Sequence, residues 1–393
     1  MNNIIVPDEK IKEIFDLSKT NMNVVSISKI VNLSRYVTDK IIRLTNTEYK
    51  SKGNRIIEFN EHYFHEIDSP RKAYWLGFLA ADGSNSEKCM TLGLSVIDKD
   101  HIVKFLKEIG STHKILHSFS KSPSSDNIYE HCYTNVTSKI FSNNLSKHGI
   151  IRNKTLVLKP PVLEEKYEID FLRGYFDGDG GFSRHTTKRD GRLQTCISIT
   201  STLEMCQYFS TLLKKYGFVV CMTKRFKHDG KNNYTILVSG NYNVLKFSYL
   251  IYNKSEVFMN RKLRELYDIY TTVNDSTVRN KFCVQKREKS RWHYWYKYEG
   301  KVYDIYGFET KQDAFSESLL GLLSLGHISA VQKTIEINTD CEIPVEAEPQ
   351  IIKLCGNFYL NWVKEFRKSD IRKFYDSIPS ITYDVVTSKP INK

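Results

Sequence analysis

Two stretches of the chain read alike: AYWLGFLAADG at residues 73–83 and FLRGYFDGDG at residues 171–180. In each, an apolar run ends in aspartate and glycine, Asp82 with Gly83 and Asp179 with Gly180, and small residues stand four apart, Gly77 with Ala81 and Gly174 with Gly178. Positions four apart share one face of a helix, and a stripe without bulk lets two helix backbones approach closely. The spacing predicts two helices packed stripe to stripe, with Gly77, Ala81, Gly174 and Gly178 at their interface and both aspartates brought together at the helix ends. Gly83 and Gly180 then read as left-handed caps.

The same order of elements follows each box. Thr91–Ile97 alternates with Leu92, Leu94 and Val96 in phase, and Leu193–Thr200 with Ile197 and Ile199 in phase, so both read as strands. Glycine closes a second helix in each copy, KFLKEIG at 104–110 and TLLKKYG at 211–217. Two further strand-like runs follow, clearest at Phe218–Lys227 and Tyr234–Val238, and then a last helix in which Ile140 and Leu145 recur as Leu245 and Leu250. An internal repeat of this length predicts an α+β fold of tandem, pseudo-symmetric αββαββα units over residues 55–162 and 163–272, whose open sheet faces join into one basic saddle.

A single Asp-Gly after a helix is ordinarily a turn. Here it occurs twice, each time at a helix C-terminus, where a carboxylate faces the negative end of the macrodipole at a cost of roughly 0.3–1 kcal/mol. Side by side, the two acids also repel each other. A cation between them removes both penalties, and hard oxygen ligands with open positions suit Mg²⁺ or Mn²⁺ shared with water and phosphate. Asp82 and Asp179 are therefore the candidate metal ligands and catalytic acids. Asp177, with Ala80 at its counterpart, reads as a helix-packing or capping residue.

The boxes WLGFLAADG and LRGYFDGDG resemble the signature of the LAGLIDADG homing endonucleases, and the resemblance extends over roughly residues 60–270. The first box departs from the family pattern at Trp75 and Ala80. With both boxes in one chain, the resemblance implies a monomer with a pseudo-twofold axis that cuts an asymmetric double-stranded DNA target. It also implies a basic residue near the end of each repeat that assists the attacking water. In IIRNKTLVL this falls on Lys154 and in VFMNRKL on Lys262, with Arg261 as the alternative to the latter. Outward strand positions are expected to read DNA: Arg184, His185, Lys188, Arg189, Arg192 and Gln194 after the second box, and Lys224, Arg225 and Lys227 later. Two rival readings keep the same core, an RNA maturase that assists intron splicing and a non-cutting sequence-specific DNA-binding regulator.

Outside the repeats, residues 1–50 read as a helical module with a helix-turn-helix. Ser34 caps its last helix, and Arg35, Tyr36, Thr38 and Arg43 lie on the face available to DNA. Residues 281–326 read as aromatic strands followed by a helix from about Thr310, with Trp292, Tyr294 and Tyr296 on one face and His293, Trp295 and Lys297 on the other. This segment resembles the small DNA-binding module of the ethylene-response-factor type. Residues 340–393 contain a basic helix around Phe358–Phe374 and carry no nameable chemistry.

Bulk composition agrees with a polyanion partner. Lys and Arg number 58 against 45 Asp and Glu, a net charge of +13. No apolar run is long enough to span a bilayer, and the N-terminal stretch has no secretory pattern. The eight cysteines form no CxxC or Cys/His zinc spacing and read as reduced. The expectation is an unexported protein, bacterial, phage-derived or organellar, that acts on DNA or on intron RNA.

Overall fold

The computed structural model describes residues 6–20, 22–46, 57–121, 128–186, 191, 193–225, 231–275, 282, 284–286, 291–298, 301–369 and 371–381. The chain divides into two units, with the division between Glu58 and Phe59.

The first unit holds three helices, α1 (Asp8–Ser18), α2 (Val24–Ile30) and α3 (Arg35–Thr45). Ile14, Ile27, Val31 and Ile42, one helical face each, close its core. Asn32 takes a left-handed φ of 51° between α2 and α3, and the Ser34 hydroxyl accepts from Val37 N–H at 3.3 Å to start α3. Arg35 and Tyr36 are exposed, and Arg43 is exposed while pairing with Asp39 at 2.8 Å. Thr38 departs from the expectation. It is fully buried and donates to the Ser34 carbonyl at 3.1 Å, because it falls on the face that packs against the unit's own core.

The second unit opens with α4 (Pro70–Asp82), β1 (Gly83–Asn85), β2 (Cys89–Ser95), α5 (Lys99–Glu108), β3 (Leu116–Lys121), β4 (Ile128–Thr137) and α6 (Lys139–Lys147). The order then repeats as α7 (Glu168–Asp179), β5 (Gly180–Thr186), β6 (Leu193–Ser201), α8 (Leu203–Lys215), β7 (Cys221–Lys224), β8 (Tyr234–Ser239) and α9 (Asn241–Tyr252). Each copy is an antiparallel four-stranded sheet, in the orders β1-β2-β4-β3 and β5-β6-β8-β7. One face of each sheet is covered by helices: Met90, Leu92 and Leu94 point inward from β2 and Ile197 and Ile199 from β6. Two strands are shorter than the alternation suggested. β2 ends at Ser95 because Val96 begins a single 3₁₀ turn, and β7 ends at Lys224.

After α9 the chain continues as α10 (Asn260–Asp275), β9 (Gln285–Lys286), β10 (Trp292–Tyr298), β11 (Lys301–Phe308), α11 (Lys311–Ser324), α12 (Ile328–Ile337), α13 (Glu348–Cys355), α14 (Asn357–Arg367) and α15 (Ile371–Ile381). Thr310 caps α11. Tyr294 and Tyr296 of the three-stranded sheet share one core with Phe315 and Leu319 of α11, Ile335 of α12, and Tyr359 and Val363 of α14. The segments 281–326 and 340–366 thus fold together around α12. The single helix expected around Phe358–Phe374 is two helices. His293 is buried on the sheet, with its Nδ1 3.3 Å from Asp304; an irregular register between Trp292 and His293 breaks the simple alternation. The side chain of Lys297 lies outside the described residues.

A buried ion pair fastens this region to the second repeat. Lys246 of α9 donates to Glu336 of α12 at 2.6 Å, and Tyr359 and Tyr242 donate to the same carboxylate at 3.0 and 3.3 Å. Neither charged side chain reaches water. Glu336→Gln will destabilise the protein by about 3–5 kcal/mol, since it leaves the ammonium buried without its counter-charge, whereas Lys246→Met with Glu336→Leu will cost much less. Urea unfolding midpoints decide between them, and equal losses from the single and the double variant would contradict the pairing.

Candidate active site

The small residues of the boxes set how closely α4 and α7 approach. A methyl group at Gly174 would collide with the Tyr74 carbonyl oxygen and lie 2.8 Å from the Phe78 nitrogen. One at Gly77 would collide with the Phe171 carbonyl oxygen and lie 2.9 Å from the Tyr175 nitrogen. Backbone therefore touches backbone at both points. Toward the helix ends a methyl at Gly178 would stand 2.5 Å from the Ala81 Cβ and 3.0 Å from Asp82 Oδ2. The Asp82 carboxylate consequently rests against the last turn of α7, beside Asp179.

Gly83 and Gly180 are not left-handed caps. Their φ values are −73° and −75° with ψ at 144° and 158°, so each helix passes directly into an extended strand. Glycine is needed there for space. A Cβ at Gly83 would be 2.6 Å from the Leu79 carbonyl oxygen, and one at Gly180 would enter the Phe176 ring.

Asp82 is half-buried and Asp179 is open to solvent. Burial pushes the Asp82 carboxyl up to about 7, and the neighbouring Asp179 adds to the rise while Lys154 and Lys262 oppose it. Asp179 is also raised by burial, against the pull of Lys154, a hydrogen bond from Tyr175, and Lys262. Among the described residues no third acid, cysteine or histidine completes a cluster with them.

Both lysines reach the ends of the acid helices. Lys154 stands in a single 3₁₀ turn after Asn153, which is left-handed at φ 56°, and donates to the carbonyls of Gly83 and Ala81, the latter at 3.1 Å. Lys262, in the first turn of α10, donates to the Gly180 carbonyl. Each ammonium therefore satisfies carbonyls at the end of its own repeat's acid helix. Burial lowers the pKa of both; Asp179 and Asp82 oppose the shift at Lys154, while at Lys262 Arg261 adds to it and Glu265, Asp177 and Asp82 oppose it. Arg261 points elsewhere, to both Asp98 oxygens at 3.1 Å.

A cavity of about 380 Å³ opens beside Asp179, lined by Lys154, Tyr175, Thr200, Ser201 and Arg225 among others. Tyr175 was not singled out from the sequence, although it stands one helical turn before Asp179; the first box has Phe78 in that place. Asp98 was also missed, since a buried acid ahead of α5 has no local signature.

Strand register sorts the basic residues. His185 pairs with Gln194, in line with Ser183 and Cys196 on the face away from the helices, whereas Arg184 pairs with Thr195, whose side chain is buried on the helix side. Lys224 likewise pairs with Tyr234, in phase with the inward Ile236. Arg184 and Lys224 thus belong to the opposite face from His185 and Gln194, because successive strand residues alternate. Lys188, Arg189, Arg192 and Lys227 lie outside the described residues. The first sheet offers a polar outer face that the sequence reading passed over, with Thr91 donating to Asn135 at 2.7 Å and the Ser120 hydroxyl 2.8 Å from His131 Nε2.

A family model described as "LAGLIDADG-like domain" matches residues 166–252. No curated protein matches the chain. Three solved structures are similar in fold. The homing endonuclease I-GzeII in complex with a DNA target is 13% identical, with 54% of this chain and 94% of that chain covered at a TM-score of 0.38. I-LtrWI bound to target DNA is 12% identical, with 56% and 93% covered at 0.35. I-SmaMI bound to uncleaved DNA in the presence of calcium ions is 12% identical, with 53% and 93% covered at 0.33. Residues 166–252, the repeat that carries Asp179, are thus similar to the LAGLIDADG-like domain.

Proposed function

We propose that the chain is a site-specific endonuclease that hydrolyses both strands of a DNA duplex, with divalent metal held by Asp82 and Asp179. The observation that carries this reading is the acid pair itself: two carboxylates forced together at helix C-termini by backbone contact at Gly77 and Gly174. That arrangement is unfavourable without a counter-charge, and its donors are hard oxygens with room for water and phosphate, which fits Mg²⁺ or Mn²⁺. When bound, such a cation lowers the pKa of an attacking water and neutralises charge on the phosphate.

The chain's own residues supply the rest. Lys154 spends two of its three donors on the Ala81 and Gly83 carbonyls and Lys262 one on Gly180, which leaves N–H groups to orient water or bind the phosphate oxygens. Because burial lowers both lysines, they are better able to exchange a proton near neutral pH than surface lysines are. Arg225, in the cavity beside Asp179, suits a phosphate, and His185 and Gln194 with the polar first sheet suit base edges. Arg35 and Arg43 of the first unit, and the sheet around Trp295, extend the DNA contact. The net charge supplies the sequence-independent share of affinity. The chain acts as a monomer, since it contains both acids.

The test is Mg²⁺-dependent cleavage of DNA from the gene's own flanking region. Discrete double-strand cuts that vanish with chelator and return with Mg²⁺ or Mn²⁺ are expected; specific binding without cuts in any metal would move the assignment to the regulator. Intron RNA bound and spliced independently of both acids would move it to the maturase. No helix among the described residues is long and apolar enough to cross a membrane.

A further inference from the structure

The two half-sites are built unequally, and the difference lies in Asp177. Its side chain is completely buried and accepts three hydrogen bonds: from Tyr74 at 2.7 Å, Tyr252 at 2.6 Å and the Met259 backbone N–H at 2.7 Å. Tyr74 is in turn 2.9 Å from His101, which is also fully buried. Met259 directly precedes α10, so the Asp177 carboxylate fixes the first turn of the helix whose Lys262 reaches the Gly180 carbonyl. An acceptor that binds a helix's leading N–H sets the helix's register as well as its stability.

The first half-site has no such device. Ala80 stands where Asp177 stands in the second box. Lys154 is instead carried on a segment held by Asn85 on the Ile150 carbonyl at 2.7 Å and by Thr202 on the Leu158 carbonyl at 2.7 Å. Two other contacts hold the start of α10, Asn260 with the half-exposed Asp100 at 3.1 Å and the half-exposed Arg261 with both oxygens of the buried Asp98 at 3.1 Å; neither involves the Met259 N–H or the Lys262 ammonium.

We propose that Asp177 is a positioning residue for Lys262, acting through the Met259 N–H, and that Lys154 is independent of it. Its functional consequence rests on the endonuclease reading: removal of Asp177 slows the cutting of one DNA strand and spares the other. The positioning itself can be read without DNA.

The experiment uses the full chain as wild type, Asp177→Ala, Asp177→Asn and Tyr252→Phe. Asn keeps an acceptor for Met259, and Tyr252→Phe removes a different bond to the same carboxylate, so these two report on loss of stability alone. Lysine acetylation by an N-hydroxysuccinimide ester, followed by peptide mass spectrometry, reads the two ammonium groups separately. In Asp177→Ala, Lys262 is expected to label roughly tenfold faster while Lys154 stays within about twofold, the mark of a local opening. The two control variants label as wild type. Unchanged Lys262 labelling, or an equal rise at Lys154, overturns the proposal. On a supercoiled plasmid carrying the flanking DNA, Asp177→Ala should then accumulate a nicked product broken in one strand, slowed about 10–100-fold in the other, since a misplacement of about 1 Å costs that much. Selective Lys262 labelling with no cleavage even by wild type would uphold the positioning and defeat the endonuclease reading. Equal slowing of both strands would defeat the independence of Lys154.

Discussion

Asp82→Asn and Asp179→Asn will each lower Mg²⁺-dependent cleavage by roughly a thousandfold or more. A bound cation supplies several kcal/mol of charge stabilisation, and each 1.4 kcal/mol is tenfold in rate. DNA binding will persist, because neutralising an acid beside the phosphates removes repulsion. The same substitutions should stabilise the metal-free protein. Asp82 is held near 7 in the fold against 3.8 for the free side chain, so the native state favours the protonated acid. Its contribution is fully present below the unfolded value, near pH 4, and is lost as pH rises through 7. Asparagine copies the shape of the protonated acid. Metal-free Asp82→Asn should therefore melt above wild type at pH 8, by roughly 1 °C per kcal/mol relieved for a chain of this size, with the difference closing toward pH 4. Mg²⁺ should raise the melting temperature of wild type and do little for the variant. A variant that cuts at wild-type rate would remove Asp82 from the chemistry, and one that melts lower at pH 8 would show that the paired carboxylates are not strained.

How much of this could be read from sequence depends on how local each feature is. The acid boxes are legible because a stripe of small residues and a terminal Asp-Gly lie within one helix, and their repetition fixes the αββαββα order. Lys154 and Lys262 could be named only through resemblance, since nothing in IIRNKTLVL or VFMNRKL tells one cation from the next; Lys262 and Arg261 are adjacent in sequence and diverge only because α10 aims one at Gly180 and the other at Asp98. Arg184 and Lys224 carried a legible signal that composition masked. Counting alternate positions from Ile197 and Ile236 through the strand pairing places both on the helix side. The role of Asp177 is a tertiary fact: Tyr74, Tyr252 and Met259 converge on it from three separate elements. The region after 281 was the least legible, because α12 and α14 contribute to a core whose strands lie some forty to seventy residues earlier, and no periodicity within one segment reveals a partner at that distance.

Gly174→Ala will unfold or split the paired repeats, although alanine is ordinarily the better helix former. Two terms compete. Replacing a helical glycine restricts the unfolded chain and gains about 0.4–1 kcal/mol where space allows. At Gly174 the added methyl overlaps the Tyr74 carbonyl and stands 2.8 Å from the Phe78 nitrogen, and these are backbone atoms of a helix that no rotamer change can move aside. Relief requires α4 and α7 to separate along their length, which loosens the packing of Tyr74, Phe78, Phe171 and Tyr175 and draws Asp82 away from Asp179. Overpacking of a tight core costs roughly 1–3 kcal/mol or more, so the clash wins. Gly321 is the control within the same protein: it lies inside α11 with nothing within 4 Å of a new Cβ, and Gly321→Ala should stabilise by the full conformational gain. Urea midpoints for the two variants should therefore move in opposite directions. Cleavage by Gly174→Ala should fall with Mg²⁺ affinity even at temperatures where it remains folded, because the acids are held together only by the approach that the methyl prevents. A Gly174→Ala protein with wild-type midpoint and wild-type Mg²⁺ response would mean that the helices do not meet backbone to backbone, and the physical basis for pairing the acids would fall with that contact.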